Sequence, residues 1–311
     1  MIGPGVLSRW VGRGAPAGCL RLVPAGRAHR EAARAIVAAS PAVHVHAGAH
    51  LVAPPDPDQE TWALLDGNRL AGIVIRWRGT AWALEPGYAH DPRVPTALAR
   101  LVAQASWPQE VLFGPEAMVE QIAKSCEPHG AHLVEIRRQQ MMLCREPVVP
   151  SVRALDVPFR IRWARPEELD WLLAMHAAMC REDLGVDQVA RNAAGYERYF
   201  AELVRGGRVF IGELGDERVA KAEVPLVSEQ CWLIEGVYTA AAQRGLGLAT
   251  RLMLELDAQA RRGGRLPCLY VHRRNGRATE IYRRCGYEVV SAWATAVVGR
   301  ERRGGVKPAE W

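Results

Sequence analysis

The sequence predicts an α+β protein built from two halves of matching layout, and three observations lead there. The 311 residues are 49% hydrophobic and 24% charged, a composition of folded globular protein at a length that accommodates two domains. Short apolar or alternating segments of strand length are interspersed with amphipathic runs of helix length. The order of those segments repeats after a proline-rich join, Arg145 to Pro158 (REPVVPSVRALDVP), which carries neither a helical nor an alternating pattern. With the boundary near Ser151, residues 20–150 form a first domain and residues 151–311 a second. Residues 1–19 read as a flexible lead-in. They mix Arg9 and Arg13 with glycines and prolines and lack the continuous apolar core of a secretory signal.

In the first half, Leu20 to Val23 reads as a short strand and His29 to Ala39 as an alanine-rich helix. Thr61 to Leu65 and Leu70 to Trp77 flank Asp66-Gly67-Asn68, whose Asp-Gly chemistry favours a tight hairpin. Ala81 to Leu84 extends the sheet. A helix over Pro95 to Ala105, a strand over Val111 to Phe113, a helix over Glu116 to Cys126 and a strand over His132 to Leu143 complete the half. The second half runs in the same order. Strand Phe159 to Trp163 precedes helices Pro166 to Cys180 and Ala190 to Arg205, then a hairpin of Val209 to Glu213 and Val219 to Val227 turns at Gly215-Asp216. Strand Cys231 to Thr239, helix Leu248 to Arg262, strand Pro267 to His272, helix Arg277 to Cys285 and strand Tyr287 to Val298 follow. The shared order suggests a tandem duplication.

Several function classes lose support at this level. No stretch reaches the ~18 uninterrupted apolar residues of a membrane-spanning helix. The seven cysteines are far apart, odd in number and without a C-x-x-C pair, which speaks against a disulfide framework or zinc knuckle and fits a reducing, cytoplasmic setting. His44, His46 and His50 invite a metal reading, with His44 and His46 expected on one strand face, but no second Cys or His cluster completes a ligand set. No metal is expected. Trp62, Trp77 and Trp82 alternate with apolar residues and read as packing. The net charge of +6 is uneven: residues 151–239 carry 11 basic and 15 acidic side chains, residues 240–311 carry 14 and 6. A compact basic region inside a folded domain suits a small polyanion, while a recognition helix or aromatic ladder for nucleic acid is not evident.

The segment with the clearest chemistry is Ala240 to Thr250, A-A-A-Q-R-G-L-G-L-A-T, between the strand ending at Thr239 and the helix beginning at Leu248. A glycine loop opening a helix lets backbone N–H groups and the helix dipole meet a phosphate. It lacks the lysine and Ser/Thr of a P-loop and does not match G-x-G-x-x-G, so neither ATP nor a dinucleotide is indicated. Downstream, Asn275 to Tyr287 (N-G-R-A-T-E-I-Y-R-R-C-G-Y) places Asn275 as a helix cap, Ala278 and Tyr282 one turn apart on one face, and Gly286 as the helix stop.

Together, R-x-x-G-x-A (Arg244, Gly247, Ala249) and N-x-x-A-x-x-x-Y-x-x-x-G-Y (Asn275, Ala278, Tyr282, Gly286, Tyr287) resemble the GNAT superfamily of acyl-CoA-dependent N-acyltransferases over about residues 159–299. The whole layout is similar to bacterial two-domain members. The resemblance implies a tandem fold, each half a mixed, mostly antiparallel sheet flanked by helices, with an intact second half and a degenerate first. Where the glycine loop would stand, the first half reads E-P-G-Y-A-H-D-P-R-V (Glu85 to Val94), so one acyl-CoA site per chain is expected. The first half would then scaffold the second, cover its acceptor cleft or contact a second copy in a homodimer.

The resemblance implies that acetyl-CoA is the co-substrate, its pantetheine along Val237, Tyr238 and Thr239 and its pyrophosphate on Arg244, Gly245, Leu246, Gly247, Leu248, Ala249 and Thr250, with Asn275 and Ala278 beside it. It implies Tyr282 as the proton donor to the departing thiolate, with a core aromatic as the plainer reading. Two-residue alternation puts Glu235 on the face of Val237 and Thr239, and makes it the candidate base or water relay, with a structural ion pair as its alternative. A backbone N–H on the Val237 strand would meet the developing oxyanion. Glu182, Asp183 and Glu223 fall where the family shapes its acceptor site, and each is equally readable as a solvated carboxylate. The expected activity is direct acetyl transfer to a primary amine on a small molecule or peptide. The alternative is an acyl-CoA-binding sensor or partner-binding module without turnover.

Overall fold

The computed structural model describes residues 20–52, 59–77, 80–84, 93–103 and 109–300. The described chain divides into two compact units, residues 20–140 with 291–300 and residues 141–290.

Unit 1 opens with β1 (Arg21–Pro24), α1 (Arg27–Ala39) and α2 (Val45–Val52). The hairpin β2 (Gln59–Asp66) and β3 (Arg69–Trp77) turns at Gly67, whose φ of +59° only a glycine adopts readily. β4 (Thr80–Leu84), α3 (Arg93–Ala103), β5 (Gln109–Pro115), α4 (Glu116–Cys126) and β6 (Ala131–Cys144) follow. β1 to β4 pair antiparallel in succession, and β4 pairs β5 in parallel. Residues 291–300 of the last strand also lie in this unit, with Trp293 to Gly299 antiparallel to β5. One sheet face buries Ile73 and Ile75 under Ala33, Ile36 and Val37 of α1. The other buries Leu64, Val74 and Leu112 under α3 and α4.

The histidine segment departs from expectation. His46 and His50 lie in α2 and His44 in the turn before it, so no strand face unites them. The reason is packing: α2 buries Ala47 with the α1 cluster, and His46 stacks edge-on to Phe113 at 4.5 Å. Burial pushes the His44 and His46 imidazoles down to about 4 and about 3, which keeps them neutral. Among the described residues no group of three His, Cys, Asp or Glu is arranged to hold a metal ion.

Unit 2 repeats the pattern. It runs β7 (Phe159–Trp163), α5 (Leu169–Leu184), α6 (Gln188–Arg191), α7 (Ala193–Arg205), β8 (Val209–Leu214), β9 (Glu217–Val227), β10 (Cys231–Thr239), α8 (Leu248–Arg262), β11 (Leu266–His272), α9 (Gly276–Arg284) and β12 (Tyr287–Arg300). Again three antiparallel pairings, β7–β8, β8–β9 and β9–β10, lead to a parallel one, β10–β11. α5 and α7 cover the face of Val209 and Ile211, through Leu172, Phe200 and Leu203. α8 and α9 cover the face of Ala220, Ala222, Val224 and Ile234.

The single helix expected over Ala190 to Arg205 is two. Asn192 leaves helical geometry (φ −146°) and its Oδ1 accepts from Gly195 N at 3.2 Å, while Asp187 caps α6 through Ala190 N at 2.9 Å. Two Asx caps five residues apart start two helices. The join Arg145 to Pro158 has no regular structure, as expected, but it is tied to unit 2. Val148 N donates to Cys285 O (3.1 Å), and Arg153 O accepts from Arg251 Nη2 (2.8 Å). Gly286, at φ +94°, is required here: a Cβ on it would stand 2.3 Å from Glu146 O. Residues 1–19 and the Glu85 to Pro92 part of the first-half loop lie outside the described residues.

Candidate active site

The site is assembled at the C-terminal end of β10, where the strand stops pairing with β11. Their parallel register ends at Ile234 opposite Leu269, leaving Glu235 to Thr239 without a β11 partner. Beyond Thr239 the chain turns through Arg244 into Gly245 (φ +84°) and Gly247 (φ +75°), and Gly247 caps α8. A Cβ on Gly245 would meet nothing within 4 Å, and one on Gly247 only Val152 at 3.5 Å, so both glycines are set by backbone conformation rather than crowding. Among the described residues, none accepts a hydrogen bond from the six consecutive backbone N–H groups of Gly245 to Thr250, and Arg251 N is the first to return to the helix, to Gly247 O at 3.1 Å. Six free donors at a helix N-terminus are a ready cradle for a pyrophosphate. Thr239 Oγ1, buried at the end of β10, also lacks a partner there. The residues present therefore fit the phosphate-bearing acyl carrier that the sequence suggests.

Arg244 lies at the mouth of this cradle with its guanidinium engaged. Nε donates to Thr239 O at 3.0 Å, Nη2 to Glu182 Oε2 at 2.6 Å, and the group stands over the Tyr238 ring at 5.2 Å. Glu182 Oε1 accepts from Tyr238 OH at 2.6 Å. That hydrogen bond, with Arg244, holds the Glu182 carboxyl below its usual range, and burial first, then Glu182, pushes the Tyr238 phenol up to about 12. Glu182 thus fastens α5 to the strand and loop. Its neighbour Asp183 is raised by burial and by the Glu182 charge.

α9 is held as the sequence indicates. Asn275 Oδ1 accepts from Ala278 N at 3.1 Å, and Ala278 and Tyr282 pack on one face into the α8 cluster with Val237. The Tyr282 residue is 9% exposed, with its ring 6.0 Å from that of Tyr287. Among the described residues no group hydrogen-bonds its hydroxyl. Burial, then the Asp183 charge, raises its pKa well above 10, so the phenol stays protonated.

Glu235 is not where alternation puts it. β10 bulges at Gly236 and Val237: Glu235 stands opposite Glu223 and Tyr238 opposite Lys221, so two β10 residues face one of β9. The bulge reverses the parity of the strand. Glu235 shares a face with Tyr238, toward α5 and α7, whereas Val237 packs with Tyr282 under α8 and Thr239, opposite Ala220, is on that second face too. Glu235 is half-buried, and burial first, then the Glu223 charge, raises its carboxyl to about 7. Tyr282 and Glu235 therefore approach the open end of β10 from opposite faces of the sheet.

Glu223 is 1% exposed and is ion-paired with Lys221, which has no exposed surface. It also accepts from Tyr199 OH at 3.1 Å, and His176 Nδ1 lies 3.4 Å away. Burial pushes its pKa up, but the Lys221 ammonium and His176 overcome that and hold it at about 2. Lys221, His176 and Tyr199 were not anticipated. The one signal was the spacing Lys221-Ala222-Glu223 within an apolar strand, which places opposite charges on one face.

A strand that bulges, a glycine-opened helix with unbonded amides, and a tyrosine helix after the next strand are the layout of the GNAT fold. Residues 173–287 match the model of the acetyltransferase (GNAT) family. Among solved structures, a Drosophila protein covers 90% of the chain and 98% of its own at 13% identity, with a TM-score of 0.64. A GCN5-related N-acetyltransferase from Sphaerobacter thermophilus covers 89% and 95% at 17% identity and 0.55. A tandem GNAT protein from the clavulanic acid biosynthesis pathway covers 89% and 98% at 14% identity and 0.51. These likenesses establish the tandem fold over most of the chain. No curated protein matches the sequence.

Proposed function

We propose that the protein transfers an acetyl group from acetyl-CoA directly to a primary amine, at one site formed by unit 2. The observation that carries this reading is the run of six unbonded amides from Gly245 to Thr250, opening α8 immediately beyond an unpaired strand end. Acetyl-CoA supplies the activated acyl group and a thiolate leaving group.

The chain's own residues have five tasks. The Gly245–Thr250 amides and the α8 dipole bind the pyrophosphate, with Arg244 and the basic surround of α8 and α9 favouring the anion. Glu235, at about 7, accepts a proton from the incoming amine or its bridging water at neutral pH. Tyr282 holds its proton at every working pH and donates it at the Oη atom. The Val237 N–H is the donor to the developing oxyanion. Glu223 is neutralised by Lys221 and Glu182 is committed to Arg244 and Tyr238, which leaves Asp183 as the carboxylate free to meet a cationic acceptor. Unit 1 serves as a scaffold.

Calorimetric titration with acetyl-CoA tests the reading. Micromolar one-to-one binding is expected, with loss of at least about tenfold in affinity for Gly247→Glu, which sets a carboxylate and a strained φ in the cradle. No binding by the unaltered protein, or undiminished binding by the variant, refutes it. Binding without amine-dependent thiol release would favour a sensor instead.

A further inference from the structure

We infer that Lys221 is the positioning residue of this site: by anchoring the Gly236 carbonyl from beneath the sheet, it aims the Val237 N–H that serves as the oxyanion donor. The inference rests on the acyl-transfer reading above and names the device that sets its geometry.

Lys221 is fully buried on β9, on the face toward α5 and α7. Its Nζ meets Glu223 Oε1, donates to Gly236 O at 3.0 Å, lies 3.5 Å from His176 Nδ1 and stands 5.5 Å over the Phe200 ring. Taking an ammonium out of water is costly, and its three N–H donors each need an acceptor, of which the Glu223 carboxylate supplies one. The hydrogen bond to Gly236 goes to a backbone carbonyl that has left the ladder with β9. Gly236 sits at φ +59° inside the bulge, and the register with β9 skips both Gly236 and Val237.

The peptide joining Gly236 to Val237 is trans, since the described chain has no cis bond. A trans peptide points its C=O and the following N–H in opposite directions. With the carbonyl drawn to Lys221, the Val237 N–H points away from it. On the β11 side nothing in the register awaits that N–H, because β10 and β11 part at Ile234 and Leu269. Gly236 is required for the same reason: a Cβ there would stand 2.3 Å from Glu223 Oε1 and 2.9 Å from Lys221 Nζ. An oxyanion donor works by being oriented before the charge appears, and a buried ammonium on the carbonyl of its own peptide supplies that orientation.

Lys221→Met alone leaves Glu223 buried without its cation and Glu223→Gln alone leaves the ammonium without its anion, so Lys221→Met/Glu223→Gln is compared with both Glu223→Gln and the wild type, each checked for folding by its thermal transition. Protein labelled with carbonyl-13C glycine and 15N valine yields signals only from Gly-Val pairs, here Gly5-Val6, Gly185-Val186, Gly236-Val237 and Gly305-Val306. In the ligand-free protein, the Gly236 carbonyl resonance is expected to move in the double variant relative to Glu223→Gln. An unmoved resonance overturns the anchoring. On addition of acetyl-CoA against free CoA, the Val237 amide should respond in the wild type and in Glu223→Gln but not in the double variant. Acetyl-CoA affinity should stay within about threefold and kcat fall by about tenfold or more, a split that a merely structural lysine would not give. A Val237 response and kcat both retained in the double variant overturn the aiming role. If acetyl-CoA binds to no form, the acyl-transfer reading fails and the donor role with it, while the carbonyl resonance separately decides whether Lys221 holds Gly236.

Discussion

The pH dependence of turnover is the most direct reading of Glu235. Burial, reinforced by the Glu223 carboxylate opposite it, raises this group from 4.5 to about 7. The raised value means that the carboxyl is protonated below about pH 7 and available as a base above it. Its ionised fraction is then about a tenth at pH 6 and about nine-tenths at pH 8, so kcat/KM should rise about tenfold across that interval. An unperturbed glutamate would be saturated throughout. The assay is thiol release from acetyl-CoA, with an acceptor amine that is already neutral at the acid end, so that the amine's own titration adds nothing. Glu235→Gln should lower kcat by about 100-fold, roughly 3 kcal/mol in the barrier, and abolish the limb near pH 7. A flat wild-type profile with that acceptor, or a limb that survives in Glu235→Gln, would refute the assignment and pass the role to Asp183.

Two further outcomes follow from groups at and near the site. Tyr282→Phe should lower thiol release by about 100-fold while acetyl-CoA affinity and melting temperature hold, because no described residue bonds the hydroxyl; retained turnover, or a large fall in stability, would contradict it. Asp257 is 2% exposed, its Oδ1 accepts from Tyr287 OH, and burial raises it from 3.8 to about 7. A carboxyl raised in the folded state contributes stability that is whole below about pH 4 and lost as pH rises through about 7, a change of about 4 kcal/mol. Asp257→Asn should therefore stabilise the protein at about pH 8, and progressively less toward pH 4, in urea denaturation. An equal effect at both ends would contradict the shift.

The elements and the cradle were legible because their signals are local. Gly245 and Gly247 need positive φ, Asn275 needs only its own helix's N–H to cap it, and Asp66-Gly67 needs only its own turn. Each is decided within a few residues, so the sequence carries the answer. What was hidden depends on partners distant in the chain. α2 is a helix because Ala47 and the histidines bury against β3 and β5, a tertiary outcome that the H-V-H spacing does not encode. Lys221 is buried because Glu223, His176 and Gly236 converge on it from three elements. The residues from Ser291 belong with unit 1, although they continue a strand that begins in unit 2, and no local pattern marks the crossing.

The misplacement of Glu235 has a more specific cause, and it connects fold to function. Alternation fails on β10 at Gly236, where the strand leaves its ladder with β9 for two residues. An unpaired strand end leaves alternate amides open on one side, and a bulge changes which of them faces that side. The bulge needs a residue tolerant of φ +59°, and the close approach of Glu223 and Lys221 needs one without a Cβ, so both demands fall on one glycine. The same parity reversal moves Glu235 to the face of α5 and α7, away from Tyr282. In the proposed mechanism acid and base then address the open end of β10 from opposite sides, so neither proton transfer crowds the other. A period-two reading of Cys231 to Thr239 assumes an unbroken strand, and this one is broken at Gly236 and Val237.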